Sequence, residues 1–161
     1  MSRKTLLSRG EAAFHRALCD AVEGRWLVMC KVRLADIVSC SSADWLRGHG
    51  GKISQKHLDF VLCDAGTSAI VLAVELDDRT HDAPERRARD SFVDEVLATA
   101  GVRLLRVRAR SEYETDCIGR FLRFALSLSP VALARWNQKN VRLRRRRSPI
   151  RRTRRLRQRT R

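Results

Sequence analysis

Residues 69–74, "AIVLAV", form an unbroken apolar run, and polar positions begin at Glu75. A run this short, rich in Val, Ile and Leu and bounded by polar turns, predicts a strand buried on both faces. It is the third of four such segments. Residues 25–34 predict the first strand and residues 56–64 the second. In the second, period two sends Leu58, Phe60 and Leu62 one way and Asp59, Val61 and Cys63 the other. The turn "AGTS" then predicts a hairpin into the third strand. Residues 102–109, "VRLLRVRA", predict the fourth. Helical spacing appears elsewhere. Ser8 and Glu11 have capping-box spacing, Ala13, Phe14, Ala17, Leu18 and Ala21 follow on one side, and Gly24 ends the helix. Residues 81–101 predict a second helix, with Asp82 as cap, Pro84 and Glu85 in the first turn, and Gly101 beyond the end. Residues 114–128 predict a third, broken at Ser129-Pro130, and 131–140 add a short helix or linker. Residues 35–55, with "SCSS" and "GHGGK", carry loop chemistry, and a loop this long points to a functional or mobile segment.

The order is helix, three strands, helix, strand, helix. A helix between the third and fourth strands demands a parallel crossover, so the fold class is α/β: a mixed four-stranded sheet flanked by helices. No internal repeat is present.

Charge changes this picture at one end. The 161 residues carry a formal net charge of +16, and residues 142–161 hold twelve Arg and no acid, which leaves +4 for the first 141 residues. So arginine-rich a stretch has little to bury and repels itself, which predicts a disordered tail over 142–161. The division expected is a folded domain over 1–130, a short helix or linker over 131–141, and that tail. Runs of this density bind phosphates through counterion release, so nucleic acid is the partner expected, with Arg144, Arg145, Arg146, Arg147, Arg151, Arg152, Arg154 and Arg155 as phosphate contacts. The N-terminal residues lack the apolar core of a signal peptide, and no apolar run approaches the length of a membrane span. Five scattered cysteines without a CxxC argue against a zinc ribbon or a disulfide scaffold. The expected location is the cytoplasm, or the nucleoid within it.

The acids at the end of the third strand raise the chemical question. Alternation places Glu75 and Asp77 on one face, about 7 Å apart along the strand. Asp59, on the hairpin partner, can reach the same patch. Converging carboxylates repel one another, and a divalent cation resolves the repulsion. An all-oxygen ligand set suits Mg²⁺ or Mn²⁺. Such an ion activates water and neutralises charge on a phosphodiester. The competing readings are ordinary ones. Glu11 can act only as a helix cap, Asp59 can pair with Lys56 or Arg106, and Arg86 with Asp90 can form a surface ion pair at i,i+4 spacing.

An Asp followed, after about fifteen residues, by Glu-x-Lys or Glu-x-Asp across a hairpin resembles the restriction-endonuclease-like nucleases of the PD-(D/E)XK superfamily. The segments "GEAAFHRAL", "KVRLADI", "KHLDFVLCD", "AVELDDRTH" and "RRARDSFVDEVLATAGVRLLRVRA" more closely resemble the bacterial domain of unknown function 2726, a branch of that fold related to very short patch repair endonucleases. The resemblance covers roughly residues 6–128 and implies an αβββαβ nuclease-like core. It implies Asp59 and Glu75 as metal ligands, Glu11 as the helix acid that completes the metal shell, and DNA ahead of RNA as substrate. It also admits a homodimer. Asp77 stands where the superfamily has a lysine that orients water and stabilises the phosphorane. Asp77 is then a further ligand or a general base. Lys56 and His81 are candidate catalytic substitutes, and Arg86, Arg89 and Arg106 are candidate phosphate contacts.

Overall fold

The computed structural model describes residues 2–39, 41, 49–77 and 84–146, with backbone alone for 49, 84–90 and 140–146. Helix α1 (Arg9–Val22) is followed by strand β1 (Trp26–Arg33) and a 3₁₀ turn (Leu34–Asp36). Helix α2 (His49–Ser54) leads into the hairpin β2 (His57–Asp64) and β3 (Ile70–Asp77). Helix α3 (Pro84–Thr99) crosses over to β4 (Leu104–Arg108), and α4 (Thr115–Ser127) and α5 (Pro130–Arg146) close the order.

The four strands form one sheet in the order β1-β2-β3-β4. The first two pairings are antiparallel and β3 with β4 is parallel, as the crossover helix requires. The hairpin turn is built by Asp64, whose Oδ1 accepts from the N–H groups of Gly66 and Thr67. The same hydrogen bonds, with that from the Thr67 hydroxyl, hold the Asp64 carboxyl below its ordinary value.

Two apolar clusters cover the two sheet faces. On the first, Phe14, Leu18 and Val22 of α1 and Ile118, Leu122 and Ala125 of α4 meet Phe60, Leu62, Leu72, Val74, Leu105 and Val107. On the second, Val93 and Leu97 of α3 meet Val61, Cys63, Ala73 and Leu104, with Leu34, Val38 and Ile53 alongside. Leu72, Ala73 and Val74 of β3 are thus buried on both sides, as the composition predicts, whereas Ala69 and Ile70 at the start of the apolar run are exposed.

Three expectations change. Residues 35–55 are not all loop: α2 lies within them and the 3₁₀ turn runs into them, while 40 and 42–48 fall outside the described residues. Helix α5 runs to Arg146, well past the expected 131–140, so the arginine-rich stretch begins inside a helix. Arg is a good helix former, and propagation from an existing helix needs no new nucleus. Finally, Leu58 joins the second cluster although Phe60 and Leu62 lie in the first, so the alternation of β2 reverses next to Asp59.

At the other edge of the sheet, α5 supplies a side chain in place of a fifth strand. Asn137, 1 % exposed, donates from Nδ2 to the Leu104 carbonyl (2.7 Å) and accepts at Oδ1 from the Arg106 N–H (3.4 Å). Replacing it with leucine leaves both backbone groups buried without these partners. The expected cost is about 2–3 kcal/mol, seen as a lower urea midpoint at unchanged m-value.

Candidate functional site

The site starts from the cap of α1. The Ser8 hydroxyl accepts from the Glu11 N–H (3.3 Å), and Glu11 Oε2 accepts from the Ser8 N–H (2.7 Å). The capping box is therefore real, but it occupies only one carboxylate oxygen. The other, Oε1, accepts from Lys31 Nζ at 2.5 Å. The same ammonium donates to Asp59 Oδ1 at 2.8 Å. Capping therefore leaves Glu11 Oε1 available to a second partner, Lys31.

Asp59 is fixed a second time. Its Oδ2 accepts from the Leu76 backbone N–H at 3.0 Å. The pairing of β2 with β3 ends, toward this side, at Phe60 with Val74. Beyond that pair the Asp59 carboxylate takes the place of a strand carbonyl. Its ion-pair partner is Lys31 of β1, and neither Lys56 nor Arg106 is shown in that role.

Lys31 itself has an unusual backbone, with φ at +54°. Two other non-glycine residues among those described have positive φ, but Glu23 ends a helix and Ser68 lies in the hairpin turn, where that conformation is common. Lys31 lies within a strand. The pairs Cys30–Phe60 and Val32–Leu58 continue on either side, while the Lys31–Asp59 position drops out of the ladder. Cys30 packs on the first cluster and Val32 on the second, so strand parity reverses at this residue. The reversal turns Lys31 toward α1 and Glu11.

Magnitudes show that stability alone does not explain this arrangement. A left-handed lysine costs about 1–2 kcal/mol. The side chains of Lys31, Glu11 and Asp59 are 27 %, 20 % and 22 % exposed. Ion pairs at such exposure contribute about 0–1 kcal/mol each. The two pairs roughly offset the strain.

Burial would raise the Glu11 carboxyl, but the hydrogen bonds from Lys31 and Ser8 outweigh it and hold the group below its ordinary 4.5. Burial would likewise lower the Lys31 ammonium, but its hydrogen bonds to Asp59 and Glu11 hold it above its ordinary 10.5. A lowered acid contributes stability that is present above 4.5 and lost as pH falls through its folded value. A raised base contributes stability present below 10.5 and lost as pH rises through its folded value. Glu11→Gln should therefore be less stable than wild type at neutral pH by about 1 kcal/mol or less. The difference should shrink on acidification below 4.5, as urea midpoints measured along a pH series would show.

A second group of carboxylates gathers on Arg106. This residue alternates with Leu105 and Val107, so it faces α3. Its Nη1 lies 2.6 Å from Glu75 Oε2 and 3.2 Å from Asp77 Oδ1, and its Nε donates to Asp94 Oδ1 at 3.0 Å. Arg106 and Asp94 are 6 % and 4 % exposed. Parallel pairing of Glu75 with Arg106 and of Asp77 with Arg108 fixes this geometry.

Ion pairing thus divides the four expected acids into two groups: Glu11 and Asp59 on Lys31, and Glu75 and Asp77 on Arg106. Asp59 and Glu75 both follow the Phe60–Val74 pair on adjoining strands, the first turned to the Lys31 group and the second to the Arg106 group. Among the described residues no three His, Cys, Asp or Glu side chains are grouped to hold a metal ion. Glu11 Oε1 and Asp59 Oδ1 nevertheless converge on one cationic point, the Lys31 ammonium. Mg²⁺ is commonly bound by one or two carboxylates plus water and phosphate oxygens, so this pair suits such an ion.

The Lys56 carbonyl accepts from the Leu34 N–H at 2.8 Å, which holds the entry of β2 against the 3₁₀ turn. His81, the side chains of Arg86, Arg89, Arg144, Arg145 and Arg146, and residues Arg147, Arg151, Arg152, Arg154 and Arg155 lie outside the described residues. Lys31 and Asp94 are participants that the sequence pattern did not single out. Cys19, Cys30, Cys63 and Cys117 are free thiols, and burial pushes the first three upward, away from reactivity. No described helix is long and apolar enough to cross a membrane.

Compared with known families, residues 3–126 match the model described as a protein of unknown function, DUF2726. No curated protein and no solved structure matches the chain.

Proposed function

We propose that this chain, which belongs to the DUF2726 family, is a Mg²⁺-dependent nuclease that hydrolyses DNA phosphodiesters. The observation that carries the reading is the pair Glu11 and Asp59, held on one lysine at the point where two strands part. The element order and the mixed sheet support a restriction-endonuclease-like core. The net charge of +16 supports a polyanionic substrate.

In this reading Glu11 and Asp59 hold the ion, with Glu75 as the adjacent acid. The bound ion supplies an activated water and neutralises phosphate charge. The protein's own groups do the rest. The capping box and the Leu76 N–H fix the two carboxylates before any ligand arrives, so little reorganisation remains at the reaction. The oxygen of water bonds to phosphorus, the bond to the leaving oxygen breaks, and that oxygen ends protonated. His81, four residues past Asp77, is the proposed proton donor, and Asp77 the general base. The arginine-rich stretch supplies affinity with little sequence selectivity.

A second reading is a nuclease-fold DNA-binding protein without turnover. It draws on Arg106, whose ion pairs with Glu75 and Asp77 engage both acids. Incubation with supercoiled plasmid and Mg²⁺ or Mn²⁺ separates the two. The nuclease reading expects nicked and linear product, absent in EDTA and lost in Asp59→Ala and Glu75→Ala. No cleavage, or cleavage unchanged in both variants, favours the binding protein or an unrelated activity.

A further inference from the structure

We propose that Lys31 is the cation of the reaction: its ammonium occupies the Glu11–Asp59 carboxylates until a divalent ion takes them, and then neutralises a non-bridging oxygen of the scissile phosphate. This inference rests on the nuclease reading above.

Four observations lead to it. Asp77 carries no positive charge to the end of β3, and Arg106 is buried among carboxylates on the face turned to α3, away from Glu11 of α1. Lys31 brings a cation from β1, with its side chain 27 % exposed and therefore open to a ligand. Its Nζ sits on the same two oxygens that suit a hard cation. And its left-handed backbone, placed within a strand, is strain that the surrounding ion pairs do no more than offset; such strain marks positions kept for function.

A divalent ion held by Glu11 and Asp59 would compete with the ammonium for these carboxylates. A lysine on a flexible four-carbon stem can move to a neighbouring phosphate oxygen without moving the strand. Water attack adds one negative charge at phosphorus in the transition state, and the relocated ammonium stabilises it there. No bond to Lys31 forms or breaks. The water oxygen becomes part of the product phosphate, its proton passes to the general base, and the departing oxygen takes a proton from the general acid.

The test compares wild type with Lys31→Met in three measurements. These are Mg²⁺-dependent nicking of supercoiled plasmid, Mn²⁺ affinity by calorimetry without DNA, and thermal midpoint in EDTA. Lys31→Gly, which adopts the left-handed backbone without a steric cost, is the second variant should the methionine form fail to fold. The expected result is a fall in nicking of about 100-fold. It is accompanied by Mn²⁺ affinity that is unchanged or up to about tenfold tighter, because a competitor for the carboxylates has gone. The thermal midpoint of Lys31→Gly should stay within about 4 °C of wild type. A fall in nicking of less than about tenfold, or weaker Mn²⁺ binding in a folded variant, overturns the assignment of Lys31 while leaving the nuclease reading standing. Wild-type protein that does not nick DNA overturns both.

Discussion

Arg106→Met should destabilise the protein by about 3–5 kcal/mol, the largest effect expected of any single substitution described. Arg106 is the hub that ties α3 to the end of β3: three carboxylates from two elements meet its guanidinium between 2.6 and 3.2 Å. Methionine matches much of its apolar volume but removes the charge. Asp94, 4 % exposed, then stays buried without the Arg106 guanidinium, and Glu75 and Asp77 lose its charge, which offsets their mutual repulsion. Most of the loss is the cost of stranded charge and not the worth of the ion pairs. Arg106→Met combined with Asp94→Leu should therefore recover a large part of it, by about 1–3 kcal/mol relative to simple addition. Urea unfolding of the four proteins measures this directly. A single-variant cost below about 1 kcal/mol would show that the hub does not hold the fold together.

Removing the arginine-rich end should change DNA binding by orders of magnitude. Helix α5 extends to Arg146, so truncation after that residue preserves the helix and deletes eight arginines. A protein that neutralises six to ten phosphates loses about 10³–10⁵ in affinity between 50 and 200 mM salt. The full chain should fall in that range. The truncated chain should bind weakly even at low salt, and its slope of log affinity against log salt should be smaller by about 0.9 for every phosphate contact removed. Fluorescence anisotropy with a labelled duplex, titrated at several salt concentrations, gives both slopes. Equal slopes would mean that the deleted arginines do not contact phosphate and that affinity resides in residues 1–146.

Much of the fold was legible because its signals are local. The β3 run is apolar at every position to Val74, the "AGTS" turn sits between two strands, and Ser8 with Glu11 predicts a cap that the structure contains. The parallel β3–β4 pairing followed from the helix predicted between the two strands. Two differences concern extent. Helix α2 forms within a glycine-rich stretch that propensity disfavours, with Ile53 anchoring it in the second cluster. Helix α5 continues into arginines because charge repulsion competes with a strong helix propensity.

The site was legible in its acids and not in its cations. Alternation correctly put Glu75 and Asp77 together, and both meet Arg106. It could not show that Asp59 would pair with Lys31, because by simple alternation Lys31 shares the face of Leu27 and Met29, which are 43 % and 49 % exposed. Read that way it is a solvated strand lysine. Only the positive φ turns it toward α1, and lysine has no intrinsic preference for that conformation. Tertiary contacts impose it. Glu11 presented the opposite difficulty: two plausible roles, each using a different carboxylate oxygen, and the structure contains both contacts.

The central claim, that a carboxylate pair at the β2–β3 parting supports metal-dependent phosphodiester hydrolysis, is tested most directly by one ratio. It is the single-turnover rate of plasmid nicking in Mg²⁺ by wild type over that by Asp59→Asn, with both proteins shown to be folded. Asparagine keeps the shape of the side chain and can still accept from the Leu76 N–H, but it carries no charge for a cation. The account predicts a ratio of about 100 or more. A ratio near unity, or no Mg²⁺-dependent nicking by the wild type, would contradict it.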